Sequence, residues 1–327
     1  MLRTWLTNFN RRLTEDQERV VLDAVTACPR PLFVRIVAEI VRQWPSNKSP
    51  EPLSENISAL LSDHLALLTD QAGHGRTLVK RTLGYLAGSR AGLRERELID
   101  LLDADPHVVA EFEKDHPHPN PDDDYRLPTI IWSRLFNDIQ FFLGRSTAAG
   151  QAVSVFYHRQ LREVAHDYCF VQDRHLIHDA LASFFQESPK WLDSDSRSRP
   201  NARRAYELAY QLEQCAAFDP SAVNRLVALL CDEEALLAKS RAGLKKDLLE
   251  DFLRAEGLNG EYIPTLAKVF ADFYLTPDHS LDTPYSMEAL HAFLAYRKVN
   301  GSMNGFYPAV LERLANAPAK DNDSRQV

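Results

Sequence analysis

The sequence predicts a mainly α protein: a helical domain, a winged helix with a small β wing, and then stacked antiparallel helix pairs. Three observations lead to this fold class. Glycine is scarce, at 12 of 327 residues, and is spread along the chain. Apolar residues recur at spacings of three and four, which is typical of amphipathic helices, over most of the chain. The alternation that favours a strand is confined to residues 152–157.

Residues 1–72 are predicted to form the helical domain. A first helix is expected near Thr14 to Ala27. A second has Pro31 at its start, where a missing backbone N–H costs nothing, and a third begins at Leu53 and reaches Leu68. The second helix has the clearest apolar stripe, made of Phe33, Ile36, Val37, Ile40, Val41 and Trp44.

Residues 73–170 are predicted to form the winged-helix domain. Helices are expected over 77–87 and 94–105, and a long polar loop, EKDHPHPNPDDDYR, then leads to a third helix that stops at Gly144. The alternating stretch 152–157 follows as a short strand. Helix, turn, helix, loop, helix and strand is the order of a winged helix.

The remainder of the chain is predicted to be a helical extension over 171–316, followed by a disordered tail over 317–327. Helices of 12 to 20 residues are expected near 172–187, 201–217, 220–231, 233–255, 261–275, 285–299 and 305–316. Short turns marked by Pro or Gly join them, which favours stacked antiparallel pairs. The tail ANAPAKDNDSRQV is polar throughout.

Composition narrows the classes of function. The net charge of −8 argues against general binding to nucleic acid or to anionic membrane surfaces. No apolar run approaches the roughly 20 residues that span a bilayer, and the first residues do not form a signal peptide. The four cysteines lie far apart and are interpreted as buried thiols of a reducing compartment. We therefore expect a cytoplasmic protein.

Motifs for catalysis are not found in the sequence. Neither G-x-x-x-x-G-K-[ST] nor G-x-G-x-x-G occurs, and there is no H-E-x-x-H or Cys/His cluster. The pairs His166–Asp167 and His178–Asp179 are similar to the His-Asp pair of metal phosphohydrolases, but such sites need further ligands. We predict no catalytic residue, no metal and no enzyme activity.

Several segments, in their order, resemble a known family. They are NFNRRLTEDQERVVLDAVTACPRPLFVRIVAEIV, LGYLAGSRAGLRERELIDLLDAD, LPTIIWSRLFNDI, FYHRQLREVAHDY, RRAYELAYQLEQCAAFD and EALLAKSRAGLKKDLLEDF. This order resembles the region that follows the ATPase core in NACHT-type STAND ATPases, closest to the telomerase-associated and NACHT–WD-repeat group. The resemblance covers roughly residues 8–255. It implies a chain that begins inside the helical domain, truncated or split from its P-loop core.

Two positions take a role from this resemblance. Pro31 matches the proline that packs on the adenine base, and His158 matches the winged-helix histidine that reaches the β-phosphate of ADP. Both contacts would exist only with a nucleotide-binding partner domain, so the chain alone is expected to hold no cofactor. The residues themselves also allow a purely structural interpretation of both positions. Pro31 is then the first residue of a helix, and His158 is a histidine that caps or packs locally.

The function that the resemblance implies is a non-catalytic regulatory and protein-interaction module. Such a module contributes to nucleotide-dependent conformational control in signalling or defence, with a P-loop NTPase domain among its partners. One alternative is a winged-helix DNA-binding regulator, although Arg134 is the only basic residue of the candidate recognition helix, Pro128 to Leu143. A further alternative is a helical metal phosphohydrolase that uses His158, His178 and Asp179.

Overall fold

The computed structural model describes residues 2–8, 10–42, 44–47, 49–70, 74–115, 126–193, 195–258, 260–275 and 309–310. The chain divides into two compact units. The first comprises Met1–Thr147 and Ala152–Ile177, and the second comprises Ala148–Gln151 and His178–Val327. The division into domains at residues 72, 170 and 316 stays a prediction.

The first unit is helical except for one β-hairpin. Its described helices are α1 (Leu2–Asn8), α2 (Glu15–Ala27), α3 (Pro31–Arg42), α4 (Ile57–Asp70), α5 (Arg76–Gly88), α6 (Glu95–Ala104), α7 (Pro106–Asp115), α8 (Thr129–Ile139) and α9 (Arg159–Ala165). The hairpin strands are β1 (Leu143–Ala148) and β2 (Gln151–Phe156). Helix α10 (Arg174–Glu187) contains the boundary between the units. This part of the chain is mainly α with a small two-stranded wing, as the sequence predicts.

Local sequence explains where the first helices begin. Thr14 accepts a hydrogen bond from the backbone N–H of Gln17, and the Gln17 side chain accepts one from the N–H of Thr14, which together form a capping box. Pro31 is the first residue of α3. The predicted start of the next helix at Leu53 is wrong, because Asn56 accepts a hydrogen bond from the N–H of Ala59 and caps a helix that begins at Ile57.

The order of elements from α5 to β2 agrees with a winged-helix layout. Residue Leu93, between α5 and α6, pairs with Ser154 of β2 in an antiparallel bridge. Gly92 precedes it with φ of +92°, and an added Cβ would lie 2.4 Å from the carbonyl oxygen of Ser154. Only glycine satisfies both conditions, so this residue lets the inter-helix turn approach the hairpin.

Two elements of this region are absent from the sequence prediction. Helix α7 (Pro106–Asp115) includes residues 113–115, the start of the predicted polar loop, so the loop prediction is wrong there. Most of the loop, residues 116–125, lies outside the described part. The predicted helix up to Gly144 is also wrong over its last residues, 140–143. Helix α8 ends at Ile139, a 3₁₀ turn follows over Gln140–Phe142, and β1 then begins.

The second unit is built from helices that pack on one another. Its described helices are α11 (Ala202–Cys215), α12 (Ser221–Leu230), α13 (Glu233–Arg241), α14 (Lys245–Leu258) and α15 (Ile263–Leu275). Helix α11 contacts α12, α13 and α14. The single helix predicted over 233–255 is wrong, because Gly243, with φ of +76°, separates α13 from α14. The predicted helices near 285–299 and 305–316 and the predicted disordered tail fall outside the described residues, apart from 309–310.

Two further expectations concern the whole chain. Of the four cysteines, Cys28, Cys169 and Cys215 are buried free thiols, but Cys231 is exposed, so the prediction that all four are buried is wrong for Cys231. Within the described ranges, the helices are all too short or too polar to cross a membrane.

Candidate nucleotide-facing site

His158 lies at the junction between β2 and α9. Its backbone is extended, with φ of −134° and ψ of 142°, and the helix begins at the next residue. The Nδ1 atom of His158 accepts a hydrogen bond from the backbone N–H of Gln160, at 3.2 Å. The imidazole therefore caps α9 and satisfies one of the amide groups that a helix N-terminus leaves without a partner.

This capping bond fixes which nitrogen of His158 carries the proton in the neutral ring. Because Nδ1 accepts, the proton lies on Nε2, and Nε2–H is the donor that remains. The side chain is half-buried, and no described residue is a hydrogen-bond partner of Nε2. His158 can therefore cap α9 through Nδ1 and donate to an acceptor on another molecule through Nε2, because the two contacts use different nitrogens.

Pro31 occupies the first position of α3, as both interpretations of the sequence require. Its ring is exposed at the surface of the first unit. The N–H of Arg30 bonds the carbonyl of Cys28 at 2.9 Å, so the chain turns just before the helix. Pro31 therefore presents an exposed apolar ring at the N-terminus of α3.

A cation–π contact brings α3 next to the His158 junction. Arg35 lies one helical turn after Pro31 and therefore shares its face of α3. The guanidinium carbon of Arg35 is 4.6 Å from the centroid of the Tyr157 ring, adjacent to His158 in the chain. Burial raises the pKa of Tyr157, while Arg35 opposes that effect and Glu39 adds to it. The two predicted residues thus belong to neighbouring elements joined through Arg35 and Tyr157.

The wing supports this junction from its other side. The N–H of Tyr157 bonds the carbonyl of Phe142, at 3.1 Å. A Cβ atom on Gly144 would lie 3.0 Å from the Cβ of Tyr157, so glycine permits the close approach of β1. Sequence reasoning took Gly144 as a helix stop and did not single out Arg35 or Tyr157. Their positions in the sequence could have indicated them, because Arg35 lies four residues after Pro31 and Tyr157 lies immediately before His158.

The histidines and aspartates considered for a metal phosphohydrolase site contact other protein residues. His178 is 1% exposed, and its Nδ1 lies 2.7 Å from Oε1 of Gln211. Asp179 is exposed and pairs with Arg225 at 3.5 Å. His166 and Asp167 are exposed neighbours, 3.4 Å apart. The described residues contain no group of three or more His, Cys, Asp or Glu side chains that could hold a metal ion.

The face of α8 bears on the DNA-binding alternative. Trp132, Leu135 and Ile139 are buried on one side of the helix, and Trp132 donates a hydrogen bond to Glu95 of α6 at 2.8 Å. The exposed side carries Arg134 beside the apolar Ile130, which is 65% exposed. A single arginine is a weak basis for contacts with a phosphate backbone.

The capping role of His158 predicts a modest loss of stability on truncation. His158→Ala should lower the free energy of unfolding of the first unit by about 0.5–2 kcal/mol, the usual cost of losing an N-cap. His158→Ser should restore most of this loss, because serine caps helices well. Urea unfolding followed by circular dichroism measures both values. Equal stabilities for the alanine variant and the wild type would show that the Nδ1 bond does not stabilise α9.

The described part of the chain is mainly α with a small two-stranded wing, and His158 lies where the wing meets α9. Comparison with known proteins finds similarity to NACHT and WD repeat proteins. Human NACHT domain- and WD repeat-containing protein 1 is 31% identical over 186 residues, which are 57% of this chain and 12% of the relative. Human NACHT and WD repeat domain-containing protein 2 is 25% identical over 340 aligned residues, 94% of this chain and 19% of the relative. The mouse form of the first relative is 32% identical over 54% of this chain.

These relatives confirm the predicted resemblance to the NACHT group. The chain spans less than a fifth of the length of each of them. No family model matches the chain, and no solved structure matches it.

Proposed function

We propose that the chain is a non-catalytic regulatory and protein-interaction module that resembles the switch half of a NACHT-type STAND NTPase. Its role is to contribute to nucleotide-dependent conformational control in signalling or defence. The geometry of His158 is the observation that carries this proposal. A histidine that caps α9 through Nδ1 keeps Nε2–H available as a donor at a helix N-terminus. Similarity to NACHT and WD repeat proteins supplies the context.

In this proposal the acceptor for His158 is a phosphate of ADP held by a P-loop domain. The N-terminus of α9 adds a favourable dipole and backbone N–H groups for an anion. Pro31 packs on the adenine base, and Arg35 holds Tyr157 next to the histidine. Neither the His158–phosphate contact nor the Pro31–adenine contact exists without the nucleotide-bearing domain, so ADP or ATP binds only to the complex.

A contact of this kind works as a switch because it exists in one arrangement only. A ligand shifts a conformational equilibrium by its difference in affinity for the two states. A hydrogen bond to a charged phosphate contributes about 1.5–3 kcal/mol, or roughly 10- to 100-fold in that equilibrium. His158 would favour the closed, ADP-bound arrangement by this amount.

The chain itself is proposed to be non-catalytic and to act through protein partners, one of them a P-loop NTPase domain. Its sequence contains no phosphate-binding loop, and the residues that hold Mg²⁺ and position a γ-phosphate are supplied by such a loop and its neighbours. The net charge of −8 favours protein partners over nucleic acid or anionic membranes, in a cytoplasmic setting.

Release of ADP from a NACHT domain tests the proposal. A fusion with a NACHT domain N-terminal to this chain should release ADP at least about ten-fold more slowly than the NACHT domain alone, because the chain adds a contact to the phosphate. The measurement is stopped-flow displacement of a fluorescent ADP analogue. The chain alone should not bind the analogue or turn over ATP or GTP. Equal release rates with and without the chain would contradict the proposed switch role.

A further inference from the structure

Arg35 has hydrogen-bonding capacity that the described residues do not use. Its side chain is exposed on α3, and no described residue accepts a hydrogen bond from its guanidinium or forms an ion pair with it. The one carboxylate of α3, that of Glu39, is engaged by Arg42 instead, with 3.1 Å between Oε2 and Nε. Because a guanidinium carries a positive charge and five N–H donors, Arg35 offers both to an acceptor from another molecule.

The contact with Tyr157 places these donors beside His158. The guanidinium carbon of Arg35 lies 4.6 Å from the centroid of the Tyr157 ring. This attraction acts between the charge and the face of the ring, so the N–H groups of the guanidinium still have no oxygen or nitrogen acceptor. The centroid of the Tyr157 ring lies 6.2 Å from that of the His158 ring. Two groups that donate to anions, the guanidinium of Arg35 and the Nε2–H of His158, therefore lie on either side of Tyr157.

The order of these residues matches the order of the groups in ADP. Pro31 and Arg35 lie one helical turn apart on α3, about 5.4 Å along its axis, and Tyr157 joins Arg35 to His158. In the function proposed above, Pro31 packs on the adenine base and His158 donates to the β-phosphate. The α-phosphate of ADP lies between the adenosine and the β-phosphate, and Arg35 has the corresponding place between Pro31 and His158.

We propose that Arg35 binds the α-phosphate of this ADP and is a second phosphate contact beside His158. The inference rests on the proposed function, because Arg35 meets the phosphate only when the nucleotide-bearing domain is in place. Two N–H groups of the guanidinium donate to two phosphate oxygens, the bidentate geometry to which arginine is suited. Arg35 then recognises a phosphate that ADP and AMP share, whereas His158 recognises the phosphate that only ADP carries.

Substitutions at Arg35 in the NACHT-domain fusion test this inference by calorimetry with ADP. Arg35→Gln should weaken ADP binding by about ten-fold or more, because a hydrogen bond between two charged groups is lost. Arg35→Lys should weaken it by about three-fold or more, because lysine keeps a charge over Tyr157 but lacks the planar pair of donors. Arg19→Gln is the matched control, since Arg19 is an exposed arginine of α2, and should leave ADP affinity unchanged. Wild-type affinity in either Arg35 variant would overturn the inference.

AMP distinguishes a direct contact of Arg35 from an effect that passes through His158. AMP keeps the α-phosphate and lacks the β-phosphate, so Arg35→Gln should weaken AMP binding by about ten-fold or more, whereas His158→Ser should change it by less than about two-fold. Displacement of a fluorescent ADP analogue by AMP measures both affinities. If Arg35→Gln weakens the binding of ADP but not of AMP, Arg35 only positions His158 and the inference is overturned. Unchanged ADP binding in His158→Ser would instead contradict the proposed function itself.

Discussion

Replacing Asp105 by alanine is expected to destabilise the first unit by about 3–5 kcal/mol, the usual cost of breaking a buried ion pair. Asp105 is 6% exposed. Its Oδ2 lies 3.1 Å from Nε of Arg81 and accepts the hydroxyl proton of Tyr85 at 2.6 Å. Its Oδ1 accepts the N–H of His107 at 2.9 Å and thereby caps α7. Burial raises the pKa of Tyr85 and Asp105 raises it further, so the phenol stays a donor.

The alanine variant removes all three interactions at once. The buried guanidinium of Arg81 loses the carboxylate of Asp105, and Asp173, at 3.5 Å, is the carboxylate that remains beside it among the described residues. Asp100→Ala is the matched control, because Asp100 forms an exposed pair with Arg96 on α6 and should change stability by about 0.5 kcal/mol or less. Urea unfolding followed by tryptophan fluorescence measures both. A loss below about 1 kcal/mol for Asp105→Ala would refute the assigned network.

A loss of similar size, about 3–5 kcal/mol, is expected in the second unit from Asp251→Asn. Asp251 is 1% exposed and pairs with Lys239, which is 4% exposed. Lys239 also donates to the carbonyl of Ala205, at 2.6 Å, so one ammonium group connects α13, α14 and α11. Removing the carboxylate charge leaves a buried ammonium without its counter-ion.

A second substitution distinguishes loss of the pair from simple damage to the core. Lys239→Met combined with Asp251→Leu should recover most of the stability, because apolar residues of similar volume replace a buried pair at little cost. Asp179→Asn serves as the control, since its pair with Arg225 is exposed. Thermal unfolding followed by calorimetry compares the three variants. A double variant no more stable than Asp251→Asn would contradict the ion-pair explanation.

The parts of the fold that the sequence predicts are those with strong local signals. Helix α3 follows from its apolar stripe, and the start of α2 follows from Thr14 and Gln17. Strand β1 has no such signal, because LGRSTA does not alternate and contains glycine. The break between α13 and α14 at Gly243 is not predicted, because the apolar pattern continues across it. The positive φ of Gly243 ends the helix, and the pattern of apolar residues does not indicate a φ angle.

The position of His158 in the fold could be predicted from the sequence, but the residues that contact the junction could not. A histidine between an alternating stretch and a helix places His158 at a helix N-terminus. The Arg35–Tyr157 contact joins elements more than 100 residues apart, and no local pattern reports such a contact.

The central claim is that His158 donates to a nucleotide phosphate through Nε2 while it caps α9 through Nδ1. The affinity of a NACHT-domain fusion for ADP, compared between wild type and His158→Ser, tests it most directly. Serine keeps the cap and removes the Nε2–H donor, because its shorter side chain places no donor at the position of Nε2. The account predicts that His158→Ser weakens ADP binding by about 10- to 100-fold while the stability of the first unit stays within about 0.5 kcal/mol of the wild type. Unchanged ADP affinity in that stable variant would contradict it and leave His158 as a helix cap alone.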